Sequence, residues 1–190
     1  SNSSNPKNRK LIWLIFAVIV AAIVGVALYF GVTKDVAKTY AIGDYYNENG
    51  KEGVVFDVWD DGRHGKIVSL DEADLQWCTD RQYDREIMVG ADNHDDGKYN
   101  TDMVMKRSDS EEYPAFVWCR KKGKDWYLPA KNEVLLIYEN LSKINSTLRK
   151  LDYEEIHNGY WSSTENDEFC AWDVDLSYGG TCSFDKDLFG

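Results

Sequence analysis

An uninterrupted apolar segment at residues 11–32 constrains this chain more than any other feature. Its 22 residues, LIWLIFAVIVAAIVGVALYFGV, include no charged residue and no proline. A helix rises 1.5 Å per residue, so a segment of this length spans ~33 Å and can cross the ~30 Å hydrocarbon core of a bilayer. Trp13 and Tyr29 lie near its two ends, where aromatic rings favour the membrane interface. The segment therefore predicts one transmembrane helix, a single-pass membrane anchor.

The charges beside the segment predict its orientation. Residues 1–10 hold three basic residues and no acidic residue, whereas Asp35 lies between the two lysines that follow the segment. The positive-inside rule then predicts a cytoplasmic tail over residues 1–10, a stalk over 33–41 and an extracytoplasmic domain over 42–190, in the periplasm or at the cell surface. The alternative is a signal peptide cleaved after residues 25–27, although the apolar core of a signal peptide is usually only about 7–15 residues long.

The rest of the chain is strongly acidic. Residues 33–190 carry 19 basic and 33 acidic side chains, a formal charge of −14. This charge repels phosphate backbones, so we expect no nucleic-acid partner, and solubility is a sufficient reason for the acidity. The length suits one domain with a hydrophobic core.

The four cysteines all lie in the predicted extracytoplasmic domain, at positions 78, 119, 170 and 182. They permit two disulfides with three possible connectivities, and free thiols are the alternative. If the two glycines after Tyr178 form a two-residue hairpin loop, Cys182 faces Ser177 on the neighbouring strand. That register disfavours a Cys170–Cys182 bond, so any disulfides would join the other two cysteines to the C-terminal sheet.

Hydrophobic patterning and turn residues predict an α+β domain with small antiparallel sheets and two to four short helices. Asn49-Gly50 between two β-prone runs predicts a hairpin, and a capping-box pattern at Ser69 and Glu72 predicts a helix. The predicted strands cover residues 54–59, 65–69, 126–128, 160–164, 171–176 and 181–184. The predicted helices cover residues 70–77, 101–105 and 113–120, with a fourth that begins at Pro129 and continues through Leu141 and a separate, shorter one through Leu151.

Three segments in order resemble a known bacterial family. They read YPAFVWC at residues 113–119, WYLPAKNE at 126–133 and YWSSTE at 160–165, and AWDVD and a Gly-Gly pair follow them. This order resembles the domain family of the Legionella collagen-like protein C-terminus and the Fibrobacter succinogenes major paralogous domain, over about residues 40–190. The resemblance implies a C-type-lectin-like α+β fold related to the sulfatase-modifying formylglycine-generating enzymes. Family members usually continue with one more strand, so we expect the domain over 42–190 to lack its last strand.

The residues of these segments have structural explanations. Trp126 and Trp161 carry large apolar rings, which we expect in the core, where they hold the helices against the sheet. Glu133 is expected in the first turn of a helix, where a carboxylate suits the positive end of the helix dipole.

We expect no catalytic, metal or cofactor site. The three histidines share no helical face, no GxSxG-type elbow accompanies the serines, and no CxxC or CxxH spacing points to zinc. The loop at 92–97 fails the EF-hand pattern, and we interpret residues 91–101 as a solvated polar loop. Formylglycine-generating enzymes use closely spaced cysteines in a pattern that the surroundings of Cys170 and Cys182 do not match.

The function that remains is a membrane-anchored extracytoplasmic recognition domain that binds a protein or a glycan. The resemblance implies binding through loops near the C-terminal sheet, so the predicted ligand-binding residues are Glu165, Asn166, Glu168, Trp172, Asp173 and Tyr178. Asp173 and Asp175 share a strand face, so both can approach one cation or one basic partner. The alternative is a structural domain of a cell-envelope assembly with no ligand of its own, in which Trp172 and Tyr178 complete the core. A relative of the formylglycine-generating enzymes is the third interpretation.

Overall fold

The structure, a computed structural model, describes residues 38–189. The predicted cytoplasmic tail and transmembrane helix, and most of the predicted stalk, lie outside the described residues. Of the helices within residues 38–189, none combines the length and the hydrophobicity of a membrane span. The described residues form an α+β domain with two three-stranded antiparallel sheets and four helices, which confirms the predicted class.

The two sheets lie at the beginning and the end of the domain, with the helices between them in the chain. The strands are β1 (Tyr45–Glu48), β2 (Lys51–Trp59), β3 (His64–Val68), β4 (Gly159–Glu165), β5 (Cys170–Asp175) and β6 (Gly180–Asp185). The helices are α1 (Asp80–Tyr83), α2 (Gly97–Met105), α3 (Pro114–Lys121) and α4 (Lys131–Lys150), with a 3-10 turn at Ser110–Glu112. The spatial orders are β1-β2-β3 and β4-β5-β6.

The predicted hairpin at Asn49-Gly50 is confirmed. Glu48 faces Lys51, so the loop has two residues, and both take positive φ angles, 55° at Asn49 and 73° at Gly50. Asparagine and glycine tolerate this left-handed backbone, which matches the twist of the flanking strands.

The predicted register of the terminal sheet, β4-β5-β6, is wrong. Asp173 faces Cys182 and Asp175 faces Gly180, so the β5–β6 loop has the four residues 176–179. Gly179 takes a positive φ of 73°, whereas Gly180 already pairs as a strand residue. Cys170 faces Asp185, and all four cysteines are free thiols.

The two helices predicted after Pro129 are one continuous helix. α4 runs for 20 residues and buries Val134, Ile137, Ile144 and Leu148, spaced by three, seven and four residues on one face. No glycine or proline interrupts that face, so nothing in the sequence ends the helix near Leu141.

Two further predicted elements are absent. Residues 70–77 are not helical, because Glu72 accepts a hydrogen bond from the Tyr160 hydroxyl and Ser69 bonds to Asp71 instead of capping a helix. Residues 126–128 form no strand, because the Leu128 amide donates to the Thr101 hydroxyl at 3.2 Å.

The predicted polar loop at 91–101 is shorter than expected. α2 begins at Gly97, and the Asp96 carboxylate caps it by accepting from the Tyr99 amide at 2.9 Å. Asn93 accepts from the amides of Asp95 and Asp96, so these polar side chains organise a turn.

The buried side chains form two clusters. One joins β2, α4 and the C-terminal end of β5. The other contains Trp77, Phe116 and Trp161 and lies between α3 and the terminal sheet. Trp161 is 5 % exposed, which confirms its predicted place in the core, whereas Trp126 is only half-buried.

Candidate functional site

The structure does not bring the six predicted ligand-binding residues into one surface. Asn166 and Glu168 lie in the loop before β5 and Tyr178 lies in the loop after it. A six-residue strand is ~17 Å long from first to last Cα, so these loops are at opposite ends of the sheet. Trp172 and Asp173 are consecutive strand residues, and their side chains project to opposite faces.

Glu165 lies in the interior and not on the predicted surface. Its carboxylate accepts from the backbone amides of Val89 and Gly90 at 3.0 Å and from the Lys186 ammonium at 2.6 Å. Lys186 is itself buried and donates to the carbonyl oxygens of Asp167 and Glu168. The ion pair of Glu165 and Lys186 thus connects the β4–β5 loop to the residue that follows β6.

Asn166 and Glu168 are exposed as predicted. Between them, the Asp167 carboxylate accepts from the amides of Phe169 and Cys170 at 2.9 and 2.7 Å. Hydrogen bonds to the Asp167 side chain therefore fix the backbone of the loop, and the side chains of Asn166 and Glu168 face solvent.

Trp172 is half-buried and already has a partner on one side of its ring. The Lys131 ammonium lies 3.6 Å from the centroid of the indole, and the His94 ring lies 6.4 Å away at an angle of 56°. Lys131 is held at the start of α4, where its amide donates to Thr164. A cation over the face of a tryptophan is a stabilising contact within the domain.

Asp173 is 8 % exposed and lies on the face of the sheet away from Trp172. On that face it is paired with Trp161 on β4 and with Cys182 on β6. Within the described part of the chain, its carboxylate makes no hydrogen bond and no ion pair. Burial, and to a smaller extent the charge of Asp175, raises the pKa of Asp173 to about 6. The Trp161 indole N–H is also buried without a hydrogen-bond partner among the described residues.

Tyr178 is 65 % exposed, and its ring lies against the backbone of Gly180. A Cβ at Gly180 would overlap this ring, so glycine is what lets the ring lie there. Gly180 faces Asp175, so the ring flanks that carboxylate. We call Asp173, Asp175 and Tyr178 the acidic face.

An open cleft of about 280 Å³ lies elsewhere, between the β1–β2 hairpin and the end of α3. Its lining includes Trp126, Tyr153, Asp71 and Lys122. Lys122 pairs with Asp71, so the central charges of the cleft already satisfy each other. The cleft is therefore a weaker candidate than the acidic face.

Two of the four cysteines, Cys78 and Cys119, are buried. Burial raises the pKa of Cys78 and of Cys119 to about 12, which keeps both as thiols at neutral pH. Within residues 38–189, no group of three or more histidine, cysteine or acidic side chains is placed to hold a metal ion.

The sequence predicted that Asp173, Asp175 and Tyr178 lie near one another. It did not predict that Asp173 lacks a partner among the described residues or that the Tyr178 ring lies against Gly180. Strand alternation puts both carboxylates on one face. The contact between Tyr178 and Gly180 depends on the four-residue loop. The Gly-Gly pair predicted a two-residue loop instead, so this contact was not expected.

Comparison with models of known protein families finds no family that matches this chain, and comparison with curated proteins finds no significant match.

Proposed function

We propose that this chain is a membrane-anchored extracytoplasmic recognition domain that binds a protein or a glycan and performs no catalysis. The apolar segment at residues 11–32 supports the anchor, and the residues before it support an N-terminus in the cytoplasm. The motifs at 126–133 and 160–165, together with the α+β architecture, support a C-type-lectin-like fold.

The observation that carries the proposal is the acidic face. It combines Asp173, a largely buried side chain whose carboxylate keeps some solvent contact and has no partner among the described residues, with an aromatic ring that is mostly exposed. An unpaired and largely buried carboxylate is unfavourable for an isolated domain, since buried charges are normally paired. A bound ligand that pairs with the carboxylate would relieve this cost, and the exposed ring offers the ligand a contact surface.

One observation favours the alternative, a structural domain of a cell-envelope assembly. Trp172, the largest ring among the predicted binding residues, is covered by Lys131 within the domain. If Tyr178 is covered in the same way by a permanent neighbour, the terminal sheet is an assembly contact and not a binding site for a separate ligand.

Arrays of glycans and of envelope and secreted proteins, probed with the full chain in detergent, separate these interpretations. We expect a binder whose affinity falls by roughly 30-fold or more in Tyr178→Ala, the ~2 kcal/mol typical of a hot spot. Asp74→Asn is the matched control, because Asp74 is exposed and has no ion pair among the described residues. The absence of any binder would favour the structural alternative, whereas binding that is indifferent to Tyr178→Ala would place the recognition site outside the acidic face.

A further inference from the structure

We propose that the acidic face binds a cationic side chain, a lysine ammonium or an arginine guanidinium, presented by a partner protein. The inference rests on the proposed recognition function and names the chemical group that is recognised.

Three acidic side chains are buried among the described residues, namely Glu133, Glu165 and Asp173. Glu133 accepts from Lys66 at 2.6 Å and Glu165 accepts from Lys186 at 2.6 Å, and both also accept from backbone amides. Asp173 has neither kind of partner within residues 38–189. Two of the three buried carboxylates are therefore paired with a lysine of the domain itself. Asp173 is not, so a cation of a partner could pair with it.

Glycines on the neighbouring strands leave space beside Asp173 and Asp175. Its next neighbour on the same face, Asp175, is flanked by Gly159 on β4 and Gly180 on β6. The Asp173 oxygens lie 3.0 and 3.1 Å from where a Cβ of Gly159 would be, so the carboxylate leans into the room that this glycine leaves. Asp175 accepts one hydrogen bond, from the Ser177 amide at 2.8 Å, and keeps acceptor capacity.

An aromatic ring, that of Tyr178, lies on the other side of Asp175. Tyr178 fills the space above Gly180 and presents a mostly exposed face. Two carboxylates with an adjacent aromatic ring suit an organic cation, because the cation can donate charge-assisted hydrogen bonds to the carboxylates and contact the ring. The hydroxyl groups of a neutral glycan would leave both negative charges uncompensated, which favours a basic protein segment as the partner.

The test is a titration of the full chain in detergent, at 150 mM salt and pH 7.5, with end-blocked tetralysine and tetraarginine. We expect Asp173→Asn and Asp175→Asn each to weaken binding by at least tenfold. Tyr178→Ala should weaken tetralysine binding only two- to fivefold, less than the loss expected for a complete ligand, because the peptide offers the ring a cation and little other contact area. Asp74→Asn should change the affinity by less than twofold, since it removes the same charge from an exposed site. Equal losses in Asp74→Asn and Asp175→Asn would reduce the binding to general attraction by an acidic protein and overturn the proposal.

Two further probes complete the test. Tetralysine acetylated at each Nε should not bind, and equal binding by this neutral peptide would overturn the proposal. The second probe is a glucosamine trimer, a glycan that carries ammonium groups. If it binds more tightly than tetralysine and depends equally on Asp173 and Asp175, the cation comes from a glycan and the proposed protein partner is wrong.

The pH dependence provides an independent readout. Among the described residues, the titratable groups that face Asp173 are Asp175 on the same strand and the Cys182 thiol on β6, and Tyr178 lies beside Asp175. Asp173 takes up a proton near pH 6, so tetralysine affinity should fall by about tenfold between pH 7.5 and pH 5. An affinity that stays constant over this range would contradict a role for Asp173. A neutral ligand found on the arrays that needs Tyr178 but neither carboxylate would refute the cation site and leave the recognition function standing.

Discussion

Asp173 disfavours folding whenever it is ionised. Its pKa of about 6 in the folded protein lies above the ordinary value of 3.8, so the folded state holds the proton more tightly than the unfolded state does. The penalty is therefore small below about pH 4, grows as the pH rises, and is complete above about pH 7. One pKa unit corresponds to about 1.4 kcal/mol, so the shift corresponds to a penalty of about 3 kcal/mol.

Asp173→Asn should accordingly stabilise the protein at high pH. We expect its free energy of unfolding to exceed that of the wild type by about 1–3 kcal/mol at pH 8 and to show no such excess at pH 4. Denaturant unfolding at pH 4, 6 and 8, with Asp74→Asn as the control, measures the difference. An Asp173→Asn protein that is less stable than the wild type at pH 8 would mean that the carboxylate has a stabilising partner.

The two motif tryptophans should differ in their contribution to stability. Trp161 is 5 % exposed, so Trp161→Ala should lower the free energy of unfolding by about 3–5 kcal/mol, a large part of a typical total of about 5–15 kcal/mol. Trp126 is half-buried and lines an open cleft, so Trp126→Ala should have less than half of that effect. Thermal melts of both variants check the order, and equal losses would contradict the burial that distinguishes them.

At the scale of elements, local signals predicted most of the strands and helices, and tertiary contacts decided the exceptions. Asn49-Gly50 specifies its hairpin through backbone preference alone. The capping-box pattern at Ser69 failed because Glu72 bonds to Tyr160, a residue 88 positions away, which no local pattern reveals. Glu165 is buried because its carboxylate pairs with Lys186, which lies 21 residues later in the chain. No local sequence pattern reveals this pair either.

The register of β6 has a direct test by cross-linking. Asp173 faces Cys182, and facing Cα atoms in an antiparallel pair lie about 4.5–5.5 Å apart, within reach of a disulfide. Asp173→Cys should therefore oxidise to a bond with Cys182, whereas Ser177→Cys, which faces Cys182 only if the loop has two residues, should not. Non-reducing peptide mapping of both variants decides the register, and a 177–182 bond formed in preference would contradict the four-residue loop.

At the scale of the whole molecule, a predicted membrane anchor precedes the α+β domain in the chain. The anchor is predicted from composition and length alone, because lipid selects for a long apolar helix. The binding function could be predicted only in outline, since strand alternation identifies the pair Asp173 and Asp175 but not their lack of partners.

The predicted orientation is tested by labelling with a membrane-impermeant thiol reagent. Cys182 is exposed, so the experiment needs a Cys182→Ser background. In spheroplasts, Lys98→Cys should react and Ser3→Cys should react only after the membrane is permeabilised. Labelling at position 3 in sealed spheroplasts would reverse the orientation and place the domain in the cytoplasm.

The central claim is that ligand recognition takes place on the acidic face of the terminal sheet. Hydrogen exchange of the full chain, with and without the strongest binder from the arrays, tests it most directly. The account predicts that the ligand slows amide exchange at residues 173–180 and leaves the cleft residues 50–52, 69–71 and 122–126 unchanged. Slower exchange at the cleft, with residues 173–180 unaffected, would contradict it.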